Sequence, residues 1–592
     1  MAVVELIVIF RSTEIMNQSI QTQSPNNVSL LISQSRTNTL GNKTGTWRFV
    51  RPKYQEKTAA CSNACPLGID IAMVEMFASR KDYQSALNTI LMENPFPAIC
   101  GRVCFHPCES ACNRQFLDQS VGIHQIERFV GNWGLKNTQQ HIQYPEFNGA
   151  KIGIIGAGPA GLSVAYFARR LGYRCDIFEK SDKPGGLLMS GIPSYRLPDR
   201  ILMDELQRLN DDGIQLKYKQ SISMDQLETF KQHYDALFLC CGDANSILLK
   251  IVGENFAIDG LNLLRQVRSQ EMPTIEGTVA VIGGGNTAID VARSLLRMGA
   301  NPIIVYRRTR KEMPAHPHEI DAALDEGVVL KECLSPIELQ KETNHLQISL
   351  QVMKAGRKSN EGRQTYIPDG NRRETMQVNH VVSAIGAEMD MMWRNDQWEL
   401  SMSHCQMKRI ADIPVFWCGD MTISDKTVTH ALASGKQAVI ALDVLRNHGH
   451  DEIKNACHQC QVGNGPAISF DIYKQGKRKE RNNSEIANFE RLNTAYFPNI
   501  PAVQVNKISQ EACLNSFDEV ISGFDESQMI EEASRCFNCG ICNDCDTCRI
   551  FCPEMAIQWD QNNRHILMDY CKGCGICIEE CPRDAMNLEV EP

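Results

Sequence analysis

A multidomain chain of mixed α/β and α+β class is predicted by three observations in its 592 residues. Two strand–glycine turn–helix–strand patterns lie at 151–179 and 278–308. Two runs of the form C-x2-C-x2-C-x3-C-P close the C-terminus, and apolar residues recur at helical spacing from Ile69 to Met92 between two N-terminal cysteine groups. At about 150 residues per domain the length admits three to five domains. Hydrophobic residues at 43% and charged residues at 22% exclude a mainly disordered or fibrous chain. With 61 basic against 70 acidic residues the net charge is −9, which gives no basic footprint for nucleic acid. No apolar run reaches the length of a membrane span.

Residues 1–45 open on MAVVELIVIF, which lacks a positive n-region and carries Glu5 in its apolar stretch, so it does not read as a signal peptide. The polar remainder, rich in Ser, Gln, Asn and Thr, reads as a disordered tail. Without an export signal the expected compartment is the cytoplasm, where closely spaced cysteines hold metal more often than disulfides. That expectation matters for a chain of 25 cysteines, ten of them between Cys536 and Cys581.

The first nucleotide pattern runs from the apolar strand Ile152 to Ile155 into Gly156-x-Gly158-x-x-Gly161, with Pro159 and Ala160 opening the helix. Gly156 permits the tight turn, Gly158 lets backbone approach a pyrophosphate, and Gly161 allows close helix–strand packing. The helix N-terminus offers free N–H groups to phosphate. Glu179, followed by Lys180, closes the second strand and suits a ribose diol. In the second pattern the strand Val279 to Ile282 leads into Gly283-x-Gly285-x-x-Ala288, with Asn286 and Thr287 at the helix start. Its second strand ends in Arg307 and Arg308, with Lys311 close behind, where the first copy has an acid. Arginine there suits a 2′-phosphate, so NADPH is favoured, while NADH stays open and the bland alternative is a solvated basic turn.

Gly156–Gly161 continuing to Pro184-Gly185-Gly186-Leu187, and the late segment Phe416-Trp417-Cys418-Gly419-Asp420, resemble the pyridine-nucleotide-dependent flavoprotein family. The resemblance implies FAD in the first fold, with Asp420 near the ribityl and phosphate region and Thr427-Val428-Thr429 beneath the isoalloxazine. It also implies a discontinuous FAD domain, 148–275 plus 388–450, with the NADPH domain 276–387 inserted. Thioredoxin reductase shares that arrangement but needs a CxxC in the inserted domain, which here contains only Cys333. The vicinal Cys240 and Cys241 lie on an apolar strand and read as core packing. The electrons must leave the flavin by another route.

In the C-terminal domain, 531–592, the two runs have the spacing of a two-cluster ferredoxin, in which the fourth cysteine of each motif serves the other cluster. One [4Fe–4S] cluster is expected on Cys542, Cys545, Cys548 and Cys581, and the other on Cys571, Cys574, Cys577 and Cys552.

The N-terminal domain, 46–147, is expected to be α-helical and holds Cys61-x3-Cys65-Pro66, then Cys100, Cys104, Cys108 and Cys112 at four-residue intervals. Together with Gly101-Arg102-Val103-Cys104 and the segment Val121 to Arg128, these resemble the glutamate synthase small subunit. They resemble equally the N-terminal half of dihydropyrimidine dehydrogenase and the large subunit of NADH-dependent ferredoxin:NADP oxidoreductase. Those relatives hold two [4Fe–4S] clusters here, one with a non-cysteine ligand. The family's additional Arg-Cys-x-x-Cys-Gly is missing upstream of Cys61, and the same pattern appears at Arg535-Cys536-Phe537-Asn538-Cys539-Gly540. The resemblance then implies one cluster on Cys61, Cys112, Cys536 and Cys539 and another on Cys65, Cys104, Cys108 and Glu127. The alternative is free thiols at Cys536 and Cys539 and a single N-terminal cluster.

Cys457 and Cys460 look like half a metal site without a second half, and His316 and His318 read as loop residues. Residues 451–530 read as a polar connector wrapping the core, which leaves no domain for a further substrate. The parts imply an oxidoreductase that moves electrons between NADPH, FAD and [4Fe–4S] clusters, with hydride chemistry carried by the flavin and no protein catalytic group. The implied partner is a redox protein or ferredoxin, with this chain a subunit of a larger complex. Narrower alternatives are the small subunit of a glutamate-synthase-like complex and an electron-donating subunit of a 2-oxoacid or sulfur-pathway reductase. From another class comes a redox-sensing iron–sulfur protein.

Overall fold

The structure, a computed structural model, describes residues 43 and 45–591 apart from 138–143, 210, 244, 359–363, 396, 478–480 and 561–562. Of the polar tail 1–45, all but Lys43 and Gly45 lies outside the described residues.

The first glycine pattern sits in a seven-stranded sheet. Its parallel part runs Ile413–Cys418, Ala236–Leu239, Lys151–Ile155, Arg174–Phe178 and Ile214–Lys217, with Cys405–Ile410 and Leu400–Ser401 added antiparallel at one edge. All four residues of Ala236–Leu239 are buried, as expected of a strand covered on both faces. Helix Pro159–Arg170 packs on one face, crossed by the long helix Val428–His448. That helix begins at Thr427, whose Oγ1 accepts from His430 N at 3.2 Å, and ends at Gly449 with φ +92°.

The second pattern sits in a five-stranded parallel sheet of Val329–Lys331, Asn301–Val305, Thr278–Ile282, His380–Ser383 and Ala257–Asp259. This unit starts earlier than the sequence boundary at 276. The strand Ala257–Asp259 pairs with His380–Ser383, and helix Gly260–Arg268 packs on it. An edge strand of three residues carries no alternation to betray it. Asn245–Ser246 pairs antiparallel with Ala387–Glu388 where the chain enters and leaves the insertion. Arg196 of the first unit makes a two-pronged ion pair with Asp290 of the second, at 2.8 and 3.0 Å, and reaches Glu319 at 3.1 Å. The two units are thus tied in one relative orientation.

The N-terminal region is helical from Ala60 onward, but its first segment is not. Val50–Tyr54 pairs antiparallel with Met586–Val590, and Glu56–Ala59 pairs parallel with Arg481–Ala487. The segment Val50–Tyr54 therefore helps build the C-terminal unit. The helix Glu526–Ser534 packs on Ile71–Ser79, so residues before Cys542 belong with the N-terminal domain rather than with the small domain expected from 531. The connector supplies a buried anchor: Glu93 accepts from Ser469 Oγ at 2.5 Å, Phe470 N at 2.9 Å and Asp471 N at 3.0 Å, and pairs with Lys436 at 2.6 Å. Helical domain, flavin-type unit and connector meet at that carboxylate. With every oxygen of the pair engaged, its buried charges are compensated.

Candidate functional site

A large cleft runs between the two nucleotide units. Gly156, Gly158, Pro159, Ala160, Glu179, Lys180, Gly186, Leu187, Gly419, Asp420 and Thr427 line it from the first unit, and Asn286 and Thr287 from the second. Gly156 has φ +105°, and a Cβ there would lie 2.4 Å from the Cys240 carbonyl oxygen. A Cβ on Gly161 would lie 2.0 Å from the Gly156 oxygen, so this glycine is spent on packing. Gly158 differs: its Cβ would meet only Gly186 Cα, at 4.0 Å, and would project into open cleft. Two glycines fold the turn and the third leaves a cradle, which is the arrangement a pyrophosphate requires. Glu179 accepts from Ala157 N at 2.8 Å and from Ser181 N at 2.9 Å, which fixes its carboxylate at the rim. The residues fit FAD.

The second turn repeats the pattern. Gly283 has φ +144° and would clash with the Ala384 oxygen at 2.2 Å, whereas a Cβ on Gly285 has nothing nearer than Pro314 at 4.0 Å. Ala288 is fully buried against this turn, showing how alanine is accommodated. Arg307 is exposed and Arg308 half-buried at the end of the second strand, and Arg308 Nη1 has no hydrogen-bond partner among the described residues. Lys311 is exposed beside them, while Arg310 is taken by Asp321. A cradle with spare guanidinium donors fits a nicotinamide dinucleotide carrying a 2′-phosphate.

Asp420 sits at the mouth of the helix Val428–His448. Burial, reinforced by the neighbouring Asp243 carboxylate, pushes its carboxyl up to about 6. The fold therefore prefers the protonated acid, and stability falls as pH rises from the ordinary value of 3.8 to about 6, with the loss complete above that. The Asp420→Asn variant, freed of FAD, is expected to lose this dependence and to exceed wild type in Tm at pH 7. Thermal melts across that pH range check it.

Thr429 does not face the cleft with Thr427. Two residues further along a helix turns the side chain about 200°, and Thr429 instead walls a second cavity. This cavity gathers Cys65, Cys104, Cys108 and Glu127, and Cys104 Sγ lies 3.8 Å from Thr429 Oγ1. One helical turn separates it from the cleft. Glu127 accepts from Asn94 Nδ2 at 2.8 Å through one oxygen, and burial pushes its carboxyl up to about 8. Cys104 is pushed up to about 12, by burial and then by Glu127.

A third cavity gathers Cys61, Cys112, Cys536 and Cys539, residues separated by up to 478 positions in sequence. Arg535, itself 1% exposed, holds the late pair in place by donating to the carbonyls of Gln119, at 2.7 Å, and Ser120, at 3.2 Å. Burial raises Cys61 well above its usual range, as do the facing thiols of Cys112, Cys536 and Cys539. Four thiols facing one another, Cys112 and Cys539 buried and Cys61 and Cys536 half-buried, cannot ionise together unless cationic metal compensates them, and as thiolates they are iron ligands. Ile71, Glu75 and Ile123 line both cavities and form their common wall. Glu75 is 1% exposed and neither carboxylate oxygen has a hydrogen-bond partner among the described residues. The sequence reading missed it, although an acid four residues after Ile71 on an apolar helix face was a signal.

In the C-terminal unit, Cys552 shares a fourth cavity with Cys571, Cys574 and Cys577. Cys548 lies within electrostatic reach of Arg564, Cys581 and Cys545, and Cys542 within reach of Arg564, Asp544 and Cys548. For the set of Cys552, Cys571, Cys574 and Cys577 the crossed grouping expected from the spacing is also a spatial neighbourhood. Cys548, Cys552, Cys577 and Cys581 pack in one cluster, so the two groups of four adjoin. All these residues fit [4Fe–4S] clusters. Of the remaining candidates, Cys240 is buried, Cys457 and Cys460 are buried, and His316 caps the helix Pro317–Glu326 while stacking on Phe105 at 5.3 Å.

Comparison with known proteins agrees with this division. Residues 150–438 match the family of pyridine nucleotide-disulphide oxidoreductases, 54–139 the 4Fe–4S cluster domain II of dihydropyrimidine dehydrogenase, and 565–587 the 4Fe–4S binding domain. The beta subunit of NADP(+)-dependent formate dehydrogenase from Moorella thermoacetica is 30% identical over 524 residues, covering 81% of this chain and 70% of that one. The beta subunit of NADPH-Fe(3+) oxidoreductase from Geobacter sulfurreducens is 30% identical over 521 residues, 83% of this chain and 76% of its own. The PreT subunit of NAD-dependent dihydropyrimidine dehydrogenase from Escherichia coli is 28% identical over 411 residues, 67% of this chain and 92% of PreT.

Proposed function

Because this chain belongs to the family of NADPH-dependent iron–sulfur flavoprotein oxidoreductase subunits, we propose that it carries electrons from NADPH along four cluster sites to a partner redox protein. The observation that carries the reading is the order of the sites. The nucleotide cleft is one helical turn from the cavity of Cys65, Cys104, Cys108 and Glu127. That cavity shares a wall with the cavity of Cys61, Cys112, Cys536 and Cys539. Cys539 is three residues from Cys542, a span of at most about 11 Å, and the two C-terminal groups adjoin.

When bound, FAD and [4Fe–4S] clusters supply the conversion between a two-electron hydride donor and single-electron carriers. The chain's own residues orient and insulate. Gly158 and Gly285 admit the two pyrophosphates, Glu179 and Arg308 sort the riboses, and the bidentate Arg196–Asp290 pair holds the two nucleotides in register. The turn Thr427–Thr429 stands between the cleft and the cluster cavity, with Thr427 on one side and Thr429 on the other. Among the described residues no helix is long and apolar enough to cross a membrane. Closely spaced cysteines read as metal ligands suit a reducing compartment, and we place the chain in the cytoplasm on that ground. Relatives that are named subunits support a partner subunit here as well.

The test is anaerobic addition of NADPH to the reconstituted chain, followed in the visible spectrum and by EPR. The reading predicts bleaching of the flavin bands together with reduction of clusters, faster with NADPH than with NADH. Bleached flavin beside fully oxidised clusters would overturn it.

A further inference from the structure

The two cluster sites of the C-terminal unit are not equivalent in their hydrogen bonding, and the difference lies on one side. Arg564, whose side chain is 5% exposed, donates through Nη1 to Cys542 Sγ at 3.2 Å. Its guanidinium is held 4.5 Å over the Trp559 ring and paired with Asp546 at 3.0 Å, while Trp559 Nε1 donates to the same carboxylate at 2.9 Å. Tyr54 OH lies 3.4 Å from Cys548 Sγ, Thr547 Oγ1 donates to Cys545 Sγ at 3.3 Å, and Ala585 N donates to Cys581 Sγ at 3.4 Å. All four sulfurs of this set therefore have a hydrogen-bonding group.

The other set receives less. Ala556 N donates to Cys552 Sγ at 3.3 Å and Gly573 N to Cys571 Sγ at 3.4 Å, and no side chain donates to its sulfurs among the described residues. The nearby Arg48 donates to the Cys571 carbonyl at 3.4 Å and pairs with Glu591, and Lys572 pairs with Glu554. Neither cation reaches a thiol.

Hydrogen bonds to cluster sulfurs stabilise the more negative, reduced form and raise the reduction potential. Asp544 and Asp546 offset the charge of Arg564, so its influence travels through the N–H to sulfur bond. The better-donated set is also the inner one. Cys542 follows the N-terminal cavity by three residues, and its N donates to Glu56 at 3.2 Å on the strand that leads to Cys61. Each set has one exposed cysteine, Cys545 in the first and Cys574 in the second, so what makes the second set the outer one is its distance along the chain from the N-terminal cavity.

We propose that Arg564 is a positioning residue that, through Cys542, holds the inner cluster site of this unit at a higher reduction potential than the outer one. Electrons then rest on the inner site, and the outer site exchanges with partners of low potential. The proposal rests on the ligand sets given under the proposed function.

The test is an EPR-monitored redox titration of the full, iron-reconstituted chain in wild type, Arg564→Leu and Arg564→Lys. The signals are assigned with Cys545→Ser and Cys574→Ser. Wild type is expected to show two separated potentials, with the signal disturbed by C545S the higher. R564L is expected to lower that signal alone, by at least a tenfold change in its oxidised-to-reduced ratio, about 59 mV for one electron. R564K, which keeps a donor, is expected to fall by less. Equal potentials in wild type, a shift of both signals in R564L, or none in either variant would overturn the proposal. Loss of the cluster in both Arg564 variants would overturn it too, by making the arginine structural. Absence of two such clusters from wild type would instead fail the ligand assignment.

Discussion

Replacing Cys536 and Cys539 together by serine is expected to remove about four of about sixteen irons per chain and to uncouple the two halves of the molecule. The reason is the third cavity, which these two thiols share with Cys61 and Cys112. The segment that carries them does not depend on metal for its place. Arg535 is anchored on Asp118, Gln119 and Ser120, and Phe537 packs with Ala72, Met76 and Ile541. The variant should therefore keep its fold, its FAD and its other clusters, and NADPH should still bleach the flavin. What it should lose is reduction of the C-terminal clusters by NADPH. Iron analysis and EPR of the NADPH-treated variant check this. Unchanged iron with full reduction would mean that Cys536 and Cys539 are free thiols.

The second large effect is expected at Gly158. A Cβ there meets nothing of the protein closer than Gly186 Cα at 4.0 Å, so Gly158→Val is expected to fold. Its methyls would occupy the cradle that a pyrophosphate must enter. FAD binding is expected to weaken by about 100-fold or more, close to 3 kcal/mol, with iron content and circular dichroism unchanged. Gly156→Ala is the contrasting variant: φ of +105° and a Cβ 2.4 Å from the Cys240 oxygen should cost the fold itself. Fluorescence titration of the apoprotein with FAD separates the two. Wild-type affinity in G158V would remove the first glycine turn from the flavin site.

How much of this was legible in sequence follows the range of each interaction. The glycine turns are local, with strand, turn and helix inside thirty residues, and both follow a strand flanked by parallel neighbours, with a glycine left open after each turn. The C-terminal cysteines were legible for the same reason. Their crossed grouping needs only the spacing within each run and a second run to exchange with. Cys536 and Cys539 became visible by being surplus to those runs. Longer-range features were hidden. Val50–Tyr54 pairs with Met586–Val590 and Glu56–Ala59 with Arg481–Ala487, pairings of short strands across more than 400 residues that no periodicity announces. The edge strand Ala257–Asp259 joined the second sheet unseen because three residues cannot alternate visibly. Thr429 was read with Thr427 as a flavin contact, and helical rotation sends it to the cluster cavity instead. Arg564 carried no motif at all. Its meaning depends on a hairpin folding back over Cys542, which only three-dimensional proximity reveals.

Transfer of electrons through this chain needs four cluster sites in succession from the cleft to the C-terminal unit. Iron and acid-labile sulfide determined per FAD in the anaerobically reconstituted full chain test it most directly. Four clusters predict about sixteen irons and as many sulfides. A value of about twelve, with the C-terminal pair intact by EPR, would contradict it by leaving a gap between the flavin cleft and the exit.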